Sequence, residues 1–358
     1  RAGITQARLI PNPRLFLQTE NWRAWSTPAL NGANQTDTYA YLSQPIETGG
    51  KRTARTELAR SNARRAELER ELLERQIIAH IKQAYWNAAG AERIHRAYLE
   101  NLANFRQIIE YHEVRVREGA MPEADLLRVR LEGERLELAA NTAGLDAERA
   151  RIELFRAMGQ TQFTALRLVD ELEGPATAPQ ADTATALANR TEMKLVREAR
   201  ETAAANSAVQ RSLARQDVDI LLGYKRTSGF STVLGGLQWN VPLFNRNQGN
   251  IEAADVTVRS VESEVAATEA VIRAEVRAAD SDLRIRRTQV SGTLQRMLQR
   301  ADESARIALA AYREGGADLL RLLDAQRVRI ELETLYYRTL SEYRQSIVAL
   351  ETAMGVNP

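Results

Sequence analysis

Hydrophobic residues recur with two different periods along this chain, and the changes between them fall at proline and glycine. Residues 51–118 and 250–314 contain no proline and a single glycine each. Proline removes a helix donor and glycine raises the entropic cost of a helix, so their scarcity predicts two long helices. At about 1.5 Å per residue, each would extend roughly 100 Å, far longer than the helices of globular domains.

A glycine turn ends each long stretch, at Gly119 and at Gly315. Shorter helical stretches follow over residues 123–158 and 317–354, so the sequence predicts two helical hairpins. Large apolar residues on the first long helix form only a narrow seam, which is typical of coiled-coil packing with water on the remaining faces. The seam consists of Leu99, Leu102, Phe105, Ile109 and Val116.

The same segments occur twice along the chain, which predicts a duplicated unit with repeats over residues 1–180 and 181–358. In the first repeat we expect strands at 14–44 and hairpin helices at 51–158, and in the second repeat strands at 218–242 and hairpin helices at 250–354. The matched segments are 43–50 with 240–247, 117–119 with 313–315, 124–127 with 317–320, 157–159 with 353–355, and 7–9 with 212–214.

A further helical stretch, residues 181–216, precedes the strands of the second repeat. Its length added to that of 317–354 is close to one long helix. Because a long helix must cover its seam along its whole length, we expect each to run beside two short helices placed end to end. The matching helix of the first repeat would begin upstream of Arg1.

Short runs of strict alternation precede each long helix. In the second repeat, Val233, Leu237 and Trp239 form an apolar face, and the partner run begins near residue 218. In the first repeat, Tyr39 and Tyr41 lie on one face of the corresponding run. We expect all five side chains to face lipid, because runs of this length suit tilted strands that cross a bilayer. Aromatic residues that would girdle the membrane interface are Trp22, Trp25, Tyr39, Tyr41, Tyr224 and Trp239.

Four strands cannot close a barrel, because the smallest stable barrels have about eight strands. An open sheet with an apolar outer face would expose both its edges and that face. Several copies of the chain must therefore contribute strands. The sequence alone leaves eight, twelve or sixteen strands open.

Composition excludes several classes of function. The 49 basic and 47 acidic residues nearly cancel, so charge gives no support for nucleic-acid binding. The absence of cysteine excludes disulfides, thiolate metal sites and cysteine nucleophiles. No apolar run is long enough for a membrane-spanning helix.

Catalytic and metal-binding patterns are not recognisable. The three histidines, His80, His95 and His112, do not share a helix face, so we interpret them as structural or surface residues rather than metal ligands. The glycines lie in turns and tips and do not form a phosphate loop or a nucleophile elbow. We therefore expect no enzyme activity, no cofactor and no metal site.

Taken together, these elements resemble the TolC-like outer-membrane efflux factors, over nearly the whole chain. The motifs that carry the resemblance are the glycine tips, Gln44-Pro45-Ile46 and Val241-Pro242-Leu243-Phe244 at the strand-to-helix junctions, and the run from Tyr312 to Ala325. Residues 44–52 further resemble the branch that serves heavy-metal exporters, the CzcC-like proteins.

The resemblance implies a mainly α fold with a β-barrel part, in which a homotrimer builds an α-helical tunnel and a twelve-stranded transmembrane barrel. It implies a passive duct for solutes or metal ions in the outer membrane of a Gram-negative bacterium, with a long periplasmic extension. Expected partners are a periplasmic membrane-fusion adaptor, an inner-membrane pump of the resistance-nodulation-division type and outer-membrane lipid. Family members often carry a lipidated N-terminal cysteine, which would lie upstream or be lacking here.

By the same resemblance, Gly119 and Gly315, with Arg117 and Arg313, mark the tips that dock on the adaptor hairpin.

Asp324, Arg321 and Asp318 would form the pore constriction or gate, since family members narrow the tunnel with acidic rings near the tips. Three copies of Asp324 around an axis would favour cations, and Arg321, one turn away, would neutralise them. The alternative is that Arg321 and Asp324 only pair along the helix surface.

Two other classes of protein remain open at this point. A periplasmic coiled-coil scaffold without a pore would bury the face of Val233, Leu237 and Trp239 within one chain. A four-helix metal-binding bundle is the third reading, which the three histidines disfavour.

Overall fold

The computed structural model describes residues 1–21, 36–164, 166–227 and 229–356. Trp22, at the predicted end of the first strand, and Trp25 lie outside the described residues. None of the described helices combines the length and the hydropathy that a membrane-spanning helix needs.

The helices begin and end within three residues of the predicted boundaries. Two interruptions were not predicted. Arg190 has an extended ψ of 124° and separates two helices, and residues 289–294 form a π-helix. The helices are α1 (Ala2–Arg8), α2 (Lys51–Arg117), α3 (Glu123–Ala157), α4 (Thr183–Asn189), α5 (Thr191–Leu213), α6 (Gln248–Thr288), α7 (Gln295–Arg313) and α8 (Leu319–Met354).

The chain divides into two compact units, each containing parts of both predicted repeats. Unit 1 comprises Arg1–Arg70 and Glu192–Thr268, and unit 2 comprises Glu71–Thr191 and Glu269–Pro358. The boundaries of the sequence repeats remain a prediction.

Unit 1 contains a four-stranded antiparallel sheet in the order β1-β2-β3-β4. Leu42 lies between Leu15 and Leu222 in the register, and Leu222 lies opposite Gly235. Within the described residues, β1 and β4 each have one edge without a partner strand. The strands are β1 (Arg14–Glu20), β2 (Asp37–Ile46), β3 (Val218–Thr227) and β4 (Phe230–Trp239).

Polar contacts hold the helices of unit 1 together. Ser61 of α2 donates a hydrogen bond to Glu198 of α5 at 2.6 Å. On the other side of α5, Ser207 donates to Asp255 of α6 at 2.7 Å. Helix α5 therefore packs against both long helices in this unit. The end-to-end placement of two short helices beside each long one remains a prediction.

Unit 2 packs its helices closely through small residues. A Cβ added at Gly90 of α2 would lie 2.4 Å from the Cβ of Ser341 in α8, and the Ser341 hydroxyl donates to the carbonyl of Trp86 at 2.8 Å. Gly90, the single glycine of the first long helix, thus marks a close helix crossing. Buried alanines and leucines of α2 and α3 form a second contact, which includes Ala84, Ala88, Ala150 and Leu154.

Candidate functional site at the hairpin tips and the sheet faces

Both hairpin tips, which belong to unit 2, end a helix with a glycine in the left-handed region. The φ angle is +72° at Gly119 and +78° at Gly315, where L side chains are strained. In both tips the amide of the next residue donates to the carbonyl five residues before it at 2.8 Å, as in a Schellman motif. A Cβ added at either glycine would have no neighbour within 4 Å, so both tips are open.

Arg117 and Arg313 precede the tip glycines and are exposed. Neither guanidinium has a hydrogen-bond or ion-pair partner within the described part of the chain. The tips therefore present two unpaired positive charges close to their turns. Their role in docking an adaptor remains a prediction.

The two hairpins share one apolar core near these tips. Val129 of α3 and Leu322 of α8 are fully buried in it, and Phe105 of α2 lies among them. Seam residue Leu102 is buried as predicted, whereas Leu99 is exposed. The remaining buried members are Leu136, Tyr312, Leu319 and Leu323.

His112 of α2 joins the hairpins through a hydrogen bond. Its Nδ1 lies 2.6 Å from the carbonyl oxygen of Ile108, and its Nε2 lies 2.8 Å from the hydroxyl of Tyr312 in α7. Because a carbonyl can only accept, a neutral His112 carries its proton on Nδ1, and Tyr312 donates to Nε2. Burial lowers the pKa of His112 and raises the pKa of Tyr312, so both groups stay neutral near pH 7.

A second polar link, separate from the pair of His112 and Tyr312, joins three helices. The buried amide of Asn101 in α2 donates to Glu333 of α8 at 2.7 Å and accepts a hydrogen bond from Arg329. Arg329 also lies 3.5 Å from Asp302 of α7. A buried polar group at a helix interface fixes the register of the helices, because any slip leaves it without partners.

The three predicted gate residues lie at the start of α8. Asp318 is the N-cap of this helix, and its carboxylate accepts a hydrogen bond from the backbone N–H of Arg321 at 2.9 Å. The side chains of Arg321 and Asp324 are exposed, and neither has a polar partner among the residues that the structure describes. The surface pair considered as an alternative is thus not formed. A constriction built from these residues remains a prediction.

One face of the sheet in unit 1 is apolar and uncovered. The exposed fraction is 81% for Val233, 75% for Leu237 and 74% for Leu17. No described helix of the unit covers this face, so the burial expected of a capping sheet is not seen. Its other large members are Leu15, Leu42, Ile220, Leu222, Tyr224 and Trp239.

The prediction that Tyr39 and Tyr41 share this face is wrong. Strand pairing places Ala40 and Leu42 on the apolar face, so the two tyrosines between and before them point to the opposite side. There Tyr41 stacks on Phe16 at 4.9 Å between ring centroids, and the Lys225 ammonium lies 5.0 Å from the centroid of Tyr39. The opposite face is therefore the polar one.

The remaining histidines occupy separate sites. His80 is exposed, 3.6 Å from the carboxylate of Glu153. His95 packs at Gly144, where a Cβ would approach its Nε2 to 3.1 Å. In the described ranges, no group of three or more potential ligands could hold a metal ion.

The interpretation of the sequence missed the link between His112 and Tyr312. A signal was present, because His112 continues the seam spacing of Phe105, Ile109 and Val116 in steps of four, three and four residues. A polar residue at a seam position faces the neighbouring helix, so it is buried unless the helix rotates about its axis. The partner at Tyr312 could not be found from spacing along a single helix.

Comparison with known proteins finds a family and several similar chains. The family described as "Outer membrane efflux protein" matches residues 1–160. The cobalt-zinc-cadmium resistance protein CzcC of Cupriavidus metallidurans is 25% identical, over 99% of this chain and 83% of that protein. Both matches come from sequence alone.

Solved structures show the same fold. The chain superposes on CusC, from a study of transmembrane channel formation, with a TM-score of 0.82 and 19% identity, covering 99% of this chain and 86% of that one. For the outer-membrane channel OprN, the TM-score is 0.79 at 20% identity, with 99% and 83% covered.

Proposed function

We infer that this chain, a TolC-like outer-membrane efflux protein, forms the outer-membrane duct of a tripartite export system. The observation that carries this function is the sheet of unit 1. One face exposes large aliphatic residues such as Val233 and Leu237, and the other carries Tyr39 and Lys225. A sheet with one lipid-compatible face and one polar face suits a barrel wall that separates lipid from water.

We propose that the functional form is a homotrimer with a twelve-stranded barrel. Among the described residues, the four strands leave one free edge at β1 and another at β4. These edges support the assembly, because closure alone removes edges. Three copies supply twelve strands, within the range that closes a barrel around a water-filled lumen.

In this assembly the residues facing lipid are Val233, Leu237 and Trp239, with Leu15, Leu17 and Leu222 on the neighbouring strands. Tyr39 and Tyr41 face the lumen, where Lys225 and Phe16 already contact them. This assignment replaces the grouping of all five predicted residues on one surface.

The tips at Gly119 and Gly315 would receive a periplasmic membrane-fusion adaptor, which an inner-membrane pump of the resistance-nodulation-division type would feed. Outer-membrane efflux proteins of tripartite systems work with such adaptor and pump partners. The unpaired Arg117 and Arg313 suit acidic groups on the partner.

The duct performs no covalent step, and the cargo passes through a water-filled lumen. We propose that the cargo includes divalent metal cations, because the sequence similarity to the cobalt-zinc-cadmium resistance protein extends over nearly the whole chain. Exposed Asp324 near the tunnel entrance would favour cations over anions, while Arg321 would moderate that preference.

Planar lipid bilayers test this function. Purified protein should insert and give discrete conductance steps of uniform size, with the current carried mainly by cations under a salt gradient. Protein that binds to the bilayer without raising its conductance would contradict the proposed duct.

A further inference from the structure

The duct requires β4 of one copy to pair with β1 of the next, and the chain contains an internal example of such a pairing. We propose a specific junction where β4 leads into α6 and where β1 follows α1, and this proposal rests on the proposed function. In it, residues 243–248 of one copy pack on residues 9–12 of a second copy. The junction repeats, between chains, the contacts that this chain makes within itself between β2 and β3.

The internal contacts tie the exit of β2 to the entrance of β3. The backbone N–H of Thr48 donates to the carboxylate of Asp217 at 2.9 Å, and the Thr48 hydroxyl donates to the carbonyl of Gln216 at 2.5 Å. Lys51 pairs with the same carboxylate of Asp217 at 2.8 Å. These polar contacts lie where the sheet passes into helices.

Because the chain is duplicated, each of these internal contacts predicts an equivalent contact between the free edges of two copies. Segment 43–50 maps onto 240–247 with an offset of 197, and segment 7–9 maps onto 212–214 with an offset of 205. The structure supports the second offset, because Arg8 and Leu213 each end a helix and Leu15 lies on the same sheet face as Ile220. The equivalent positions are Asn245 for Thr48, Gln248 for Lys51, Pro11 for Gln216, and Asn12 for Asp217.

The polar groups that would meet at this junction lie at the surface. Asn12 and Asn245 are exposed. In the part of the chain that the structure describes, neither the Asn12 side chain nor the Asn245 backbone N–H has a hydrogen-bond partner. The Asn12 amide oxygen can accept from Asn245 as Asp217 accepts from Thr48.

Apolar groups in the same segments point to the same occupant. Phe244 is 91% exposed and Ile10 is 63% exposed. The position equivalent to Phe244 is Glu47, whose carboxylate is held by Arg55 of its own chain at 2.6 Å. Phe244 replaces that ion pair with an aromatic ring and continues an exposed apolar run with Val241 and Leu243. A contiguous apolar patch of this kind marks an interaction surface. Since each copy offers one exit and one entrance, the contact is head-to-tail, and three such contacts would close the ring of the proposed trimer.

Disulfide trapping tests the junction directly, because the chain contains no cysteine. The double variant Asn12→Cys, Asn245→Cys in the full chain should form covalent dimers and trimers on mild oxidation, and reduction should reverse them. A disulfide forms only when the two Cα atoms lie within about 7 Å. A second pair, Pro11→Cys with Asn245→Cys, covers a shift of one residue.

Two matched variants serve as controls. Thr48→Cys with Asp217→Cys reproduces the internal junction and should give a disulfide within one chain and no covalent ladder. Asn12→Cys with Thr232→Cys places the second cysteine near the opposite end of β4 and should give no cross-link. A covalent ladder from either Asn245 pair, with no ladder from either control, supports the junction.

Other outcomes overturn it. No ladder from either Asn245 pair, in protein whose mass in detergent is that of a trimer, overturns the junction and leaves the duct intact. An equal ladder from the Thr232 pair means non-specific collision and overturns it as well. A monomeric mass in detergent contradicts the proposed function, and the junction with it.

Discussion

The imidazole of His112 and the hydroxyl of Tyr312 lie 2.8 Å apart and join the two hairpins of unit 2. Their rings also stack, with centroids 5.3 Å apart. The two residues are 200 positions apart in the chain, so one contact connects the first long helix to the second. Each hairpin tip is thereby held against the other by a buried neutral pair.

This pair predicts a dependence of stability on pH. Burial lowers the pKa of folded His112 below its ordinary value of 6.5, with Arg115 acting in the same direction and Asp125 against it. The folded state therefore binds fewer protons than the unfolded state, and the stabilisation, present above about pH 6.5, is lost as the pH falls through the folded pKa. The urea midpoint should fall over this window in the wild type.

In the variant His112→Phe, that fall should be smaller, because the titrating group is gone. His80→Gln serves as the control for removing an exposed histidine that does not contact Tyr312. Equal pH profiles for wild type and His112→Phe would refute the assignment.

The tip glycines predict a backbone effect. Gly315→Ala should destabilise its hairpin by about 1–2 kcal/mol, because an L side chain is strained at positive φ. Gly316→Ala is the matched control, since its φ is not positive and the nearest atom to an added Cβ is 3.7 Å away. Urea unfolding of both variants should separate them, and Gly315→Asn should recover part of the loss because asparagine tolerates this region. Similar losses of stability at both positions would mean that the space available to the added methyl group, and not the φ angle, determines the effect.

The candidate gate predicts a change in conductance. Replacing both Arg321 and Asp324 with alanine should raise the single-channel conductance, because two exposed charged groups would leave the narrow part of the lumen. The double variant Asp146→Ala, Arg149→Ala removes an exposed pair from α3 and should have no effect. Unchanged conductance in the first variant would remove these residues from the gate.

Asp318 is expected to behave differently from its two neighbours. Asp318→Ala should lower stability by about 1 kcal/mol through the loss of the N-cap of α8. Asp318→Asn should keep most of the stability, because asparagine also caps helices. A stable alanine variant with altered conductance would instead place Asp318 in the gate.

The two sheet faces predict opposite results for the same substitution. Leu237→Arg introduces a charge on the proposed lipid face, at a cost that rises with depth in the bilayer to about 2–4 kcal/mol at the midplane. The adjacent control Gln238→Arg points to the polar face and should be tolerated. The measurement is the share of each variant in the outer-membrane fraction. Equal insertion of the two variants would contradict the assignment of faces.

The sequence predicted the helices well, because proline and glycine interrupt them at so few positions. It also predicted alternation within each strand, but alternation does not say which set of residues points outward. For Tyr39 and Tyr41, the pairing of Leu42 with Leu15 and Leu222 determines which face of the sheet they occupy. Side-chain character favoured the tyrosines as interface residues, and the register placed them on the polar side.

Contacts between helices that are far apart in the sequence could not be predicted from the sequence. Asn101 lies one residue away from a predicted seam position, and its partners Glu333 and Arg329 both belong to α8. Arg329 in turn reaches Asp302 of α7, so the link depends on the packing of three helices. The π-helix at 289–294 likewise has no marker except Gly292. Periodicity along one helix carries no information about such insertions or partners.

The mass of the purified protein, measured with and without detergent, tests the central claim most directly. The chain has a mass of 40.1 kDa. A duct formed from shared strands should have three times this protein mass in detergent micelles and should aggregate when detergent is removed. A stable monomer that stays dispersed without detergent would show that one chain covers its own apolar sheet, and would contradict the account.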